Sequence, residues 1–144
     1  MRVIRICVFS LLVFSNQGYA IELGDRLPEG TPPTGEVLLI SSAQFSDTYE
    51  VDENGVNYVV TLDQKNKVNY ISPLSRAFAT IDGIHIGSTY EEVLSVTMES
   101  MHGEPGWGHY IRLPSGWMAG FCPSGSCSSY PELDDKVDWL FKRK

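Results

Sequence analysis

Apolar and polar side chains alternate with a period of two through residues 45–72. Residues 45–51 place Tyr49 and Val51 on one side and end at Asp52-Glu53-Asn54-Gly55. Asn-Gly between two apolar, aromatic runs is a strong hairpin signal, because both residues tolerate the positive φ of a two-residue turn. Residues 56–62 return with Tyr58, Val60 and Leu62 on one side. Asp63-Gln64-Lys65-Asn66 turns again, and residues 67–72 present Val68 and Tyr70 before Ser72-Pro73 ends the run. Three antiparallel strands are predicted. The preceding run, 36–42, is short and apolar. A buried strand suits it better than one helical turn, although periodicity does not separate the two. Residues 26–35 hold three prolines and two glycines and exclude a regular helix.

A connector, residues 73–83, carries Phe78 and Ile81 and closes with Asp82-Gly83. The period then becomes helical. Tyr90, Val93, Leu94, Thr97 and Met101 fall on one stripe. Ser88 is the expected N-cap, Glu91 completes a capping box, and Glu91 and Glu92 suit the positive end of the helix dipole. His102-Gly103-Glu104-Pro105-Gly106 is expected to stop the helix. A second meander follows, with strands over 109–113 and 117–121 joined by Pro114-Ser115-Gly116. An enlarged loop spans 122–133, and residues 136–142 form a closing strand. The expected fold class is α+β: an antiparallel sheet of about six short strands with one main helix.

Two short patterns occur twice. Ile21-Glu22-Leu23-Gly24-Asp25 is echoed by Ile84-His85-Ile86-Gly87-Ser88, and Lys67-Val68-Asn69-Tyr70-Ile71 by Lys136-Val137-Asp138-Trp139-Leu140. Because the order of elements also agrees, the chain reads as two tandem degenerate half-repeats, about 21–72 and 84–142, only the second having a helix. Residues 84–93, Ile-His-Ile-Gly-Ser-Thr-Tyr-Glu-Glu-Val, followed by Gly103-Glu104-Pro105, resemble the repeats of BamE/OmlA-like and beta-lactamase-inhibitor-protein-like domains. The resemblance implies a joined sheet that offers a concave protein-binding surface. It transfers no individual functional residue.

The N-terminus adds a cellular context. Arg2 and Arg5 precede an apolar run over 6–14, and Gly18-Tyr19-Ala20 offers small residues at a cleavage site. Residues 1–20 therefore read as an export signal, and 21–144 as one mature domain, periplasmic or secreted. No later segment is apolar enough to span a bilayer, so no integral membrane segment is expected after cleavage. Removing Arg2 and Arg5 leaves nine basic side chains against 18 acidic ones, a net charge of −9. That balance disfavours nucleic acid and suits a basic protein partner. Cys122 and Cys127 are an even pair in an exported chain and are expected to form a disulfide. Their spacing matches neither a redox CxxC nor a zinc site.

Candidate chemistry is sparse. His85, His102 and His109 have no metal-site spacing, and HExxH is absent. Ser115 and Ser124 sit in Pro-Ser-Gly turns, and neither Asp52-Glu53 nor Asp134-Asp135 belongs to an EF-hand pattern. No catalytic residue, cofactor or metal is expected; an enzyme would need His102 or His109 as its base. Binding character concentrates in Trp107, His109, Tyr110, Trp117 and Tyr130. Glycines flanking Trp107 suit an exposed, mobile anchor, whereas Trp117 and Trp139 also suit a core. The 122–133 loop has Ser-Gly and Tyr elements resembling the protruding loop of bacterial lysozyme inhibitors. The expected function is non-catalytic protein binding, of an inhibitor or immunity type against an envelope-acting enzyme. The alternative is a structural or assembly factor of the envelope.

Overall fold

The alternation that begins at residue 37 produces strands. In this computed structural model, which describes residues 20–125 and 127–144, β1 is Val37–Ser41, β2 Gln44–Glu53, β3 Val56–Leu62 and β4 Val68–Pro73. Asn54 and Gly55 turn between β2 and β3 with φ of 51° and 80°, as the Asn-Gly signal requires. A short helix, α1 (Tyr90–Val96), precedes β5 (His102–Glu104), β6 (Gly108–Arg112), β7 (Met118–Phe121) and β8 (Trp139–Arg143). The predicted export signal, apart from Ala20, lies outside the described residues.

All eight strands join one antiparallel sheet in the order β1-β2-β3-β4-β8-β7-β6-β5. Two consecutive meanders, β1–β4 and β5–β8, therefore meet where β4 pairs with β8. This corrects the expected α+β class with about six strands. The described chain is essentially all-β, and α1 has only seven residues. The extra strand, β5, occupies the segment expected to be a helix-stopping loop: His102 pairs with Tyr110 and Glu104 with Gly108.

The helix is shorter than its apolar stripe for local reasons. The Ser88 hydroxyl accepts from the His85 backbone N–H (3.1 Å) and is committed there. Thr89 is the N-cap instead, and Glu92 closes the capping box with it. At the other end Thr97 is extended, and its hydroxyl donates to the Arg112 carbonyl at 2.8 Å. The sheet thus captures the chain after two turns. Tyr90 and Val93 are buried, and Leu94 is left partly exposed.

The two sequence echoes build the same corner twice. Gly24 N–H donates to Val68 O and Val68 N–H to Asp25 O; Gly87 N–H donates to Val137 O and Val137 N–H to Ser88 O. The two glycines have φ of 96° and 97°, a region open to glycine and strained for other residues. In each corner the last side chain accepts from the backbone three residues back: Asp25 from Glu22, Ser88 from His85. Val68 and Val137 are both fully buried.

The pleat then separates two apolar faces. On one, Val60, Ile71, Leu140, Ala119, Phe121 and Ile111 pack beneath α1, the connector and residues 21–27. On the other, Tyr70, Phe141, Met118 and Tyr110 share a side with Trp139, and Ile40 and Trp107 complete the cluster. The sheet curls around this second face until its far ends touch. Trp107, in the β5–β6 turn, donates its indole N–H to Leu39 O of β1 at 2.8 Å. Arg143 donates to Ile40 O (2.7 Å) and to the Glu104 carboxylate, which also accepts from Ser42 N–H at 3.2 Å. Side chains, and not a backbone ladder, close the nearly barrel-like sheet.

Candidate functional site

The second face is not completely filled. A cleft of about 350 Å³ remains, lined by Leu38, Leu39, Val59, Tyr70, Ser72, Leu74, Trp107 and Trp139. Its walls follow from register. Val59 lies opposite Ser72, and Tyr70, Ser72 and Leu74 succeed each other at two-residue steps toward the mouth. Leu74 forms the lip and is 49% exposed. Trp139 lies flat over β7 and β6 because glycines stand beneath it. A Cβ on Gly120 would come within 2.2 Å of the indole, and one on Gly108 within 2.7 Å.

Trp107 meets Trp139 and Phe141 edge-on, with centroids 5.5 and 5.0 Å apart, and Tyr70 stacks on Phe141 at 5.7 Å. The Arg143 guanidinium lies over the Trp107 ring at 4.8 Å. These rings are locked before any ligand arrives, so little side-chain entropy is lost on binding. Burial pushes the Tyr70 phenol up to about 12. Burial also acts to raise Glu104, but hydrogen bonds from Arg143, Ser42 and Tyr110, with the Arg143 charge, hold its carboxyl below the ordinary range.

The five residues singled out by sequence do not share one surface. Trp107 is not a mobile anchor: it is only 8% exposed and sits in the closing core, with one edge on the cleft. Tyr110 belongs to the same core, and its hydroxyl donates to Glu104 at 3.2 Å. His109 points to the opposite face of β6 and packs against Tyr130 at 5.5 Å. Tyr130 is 60% exposed, and its hydroxyl lies 3.5 Å from that of Tyr90. Trp117 packs against Phe78 and Tyr58 with Lys142 above its ring.

Cys122 and Cys127 are joined in a disulfide at the start of the 122–133 loop. The histidines are dispersed: His85 bonds the Ile86 carbonyl through a ring nitrogen, and His102 stacks on Tyr110. Among the described residues no three His, Cys, Asp or Glu side chains gather into a metal-sized group. No described helix is long and apolar enough to cross a membrane.

Sequence reasoning passed over Leu38, Leu39, Val59 and Leu74 and assigned Trp139 to the core. A signal did exist: glycine inside a strand marks the close approach of another group, and Gly108 and Gly120 both carry it. No protein-family model, no curated protein and no solved structure matches this chain.

Proposed function

We propose that this chain is an exported, non-catalytic protein-binding domain, periplasmic or secreted, that acts as an inhibitor or immunity-type protein on an envelope-acting enzyme. The observation that carries this reading is the preformed apolar cleft, with two tryptophans and an exposed leucine lip on a rigid sheet. Buried aromatic side chains that present a fixed apolar surface are typical of binding hot spots. The disulfide and the net charge of −9 that remains without Arg2 and Arg5 suit an extracytoplasmic, soluble partner-binding role.

The test uses the mature chain, residues 21–144, immobilised and exposed to periplasmic extract, followed by purification of the captured protein. The expected result is an enzyme whose turnover falls to near zero at a stoichiometric amount of the chain. Recovery of outer-membrane assembly proteins alone would favour an assembly factor and end the inhibitor reading. Turnover by the chain itself, abolished by His102→Ala or His109→Ala, would end the non-catalytic one.

A further inference from the structure

Resting on the protein-binding reading, we infer that the cleft receives one apolar side chain of a basic partner protein, flanked in that partner by Lys or Arg. Size comes first. At about 350 Å³ the cleft lies at the lower end of the range for whole small-molecule ligands, and it suits one large side chain with its neighbours.

Chemistry narrows the occupant further. Two polar groups of the lining are already committed: Ser72 Oγ donates to Leu140 O at 2.8 Å and Trp107 Nε1 to Leu39 O at 2.8 Å. A sugar or a nucleotide requires several convergent polar partners, and this lining is largely apolar. The occupant is therefore apolar where it enters.

Charge selects among apolar occupants. Glu50 pairs directly with Val59 of the cleft wall, which places this acidic side chain on the cleft face of the sheet. It is exposed. Two cations of β8 are engaged elsewhere. Arg143 is engaged with Glu104, and Lys142 points to the opposite face, where it pairs with Glu22. A fatty-acid carboxylate would meet like charge at this mouth. A protein loop with cationic flanks meets opposite charge at the rim and apolar walls within.

The probe is the capped peptide Lys-Lys-Trp-Lys-Lys, titrated into the mature chain at low salt while amide and side-chain NMR shifts are followed. Shifts should centre on Leu38, Val59, Leu74 and Trp139. The Glu-flanked analogue should bind at least about tenfold more weakly, and Glu50→Lys should narrow that gap. Leu74→Glu should abolish binding; both variants change exposed side chains, and an unchanged melting temperature confirms folding. No binding of the Lys-flanked peptide, equal binding of the two peptides, or tighter binding of laurate at the same residues would overturn the inference. An enzyme captured equally well by wild type, Leu74→Glu and Glu50→Lys would also overturn it, while the protein-binding reading would stand.

Discussion

Gly120 and Trp139 are paired across β7 and β8, and the missing side chain of one is the space occupied by the other. Sequence alone assigns Trp139 to the core because it stands at an apolar position of a closing strand. What it does not reveal is that the glycine opposite lets the ring lie flat and partly exposed on the cleft. Gly120→Ala places a methyl group into the indole. The expected cost is about 1–3 kcal/mol, the usual penalty for overpacking. Chemical denaturation measures it, and a changed tryptophan emission should accompany it. A variant as stable as wild type with unchanged emission would show that the ring does not lie on this backbone.

The elements were legible where local chemistry decided them and obscure where tertiary capture did. The Asn54-Gly55 hairpin and the strands around it follow from alternation and turn residues. The helical stripe through Met101 misled, because Ser88 is bound into its corner and Thr97 is claimed by Arg112. Strand β5 carries no alternating signal at all, since Gly103 leaves one of its faces without a side chain. The clasp between β1, β5 and β8 was equally hidden: Glu104 and Arg143 lie 39 residues apart, and nothing local joins them. This clasp predicts acid sensitivity. The folded pKa of Glu104 lies below its unfolded value, so its stabilisation is complete above the unfolded pKa and is lost as pH falls through the folded one. Melting temperature should therefore fall as pH drops below about 4, the ordinary glutamate range. Glu104→Gln should be less stable at pH 7 and show a shallower acid decline. Parallel curves for the two proteins would exclude this role.

At the scale of the molecule, the twice-made corner explains why two short echoes were visible between halves that otherwise differ in sequence. Each needs a glycine at positive φ and a buried valine joined to the corner by two hydrogen bonds, so these letters follow from geometry. The proposed binding surface has no such local signature. Its walls come from β1, β3, β4, β8 and the β5–β6 turn, and only the curl of the whole sheet brings them together. Five residues chosen by aromatic content were therefore dispersed over three regions, while the aliphatic half of the cleft went unnoticed. The central claim is that this cleft, and not the 122–133 loop, is where a partner binds. Hydrogen–deuterium exchange of the mature chain with and without its captured partner tests it most directly. The account predicts new protection in residues 37–41, 56–60 and 70–74. Protection confined to residues 122–133, with β1, β3 and β4 unchanged, would contradict it.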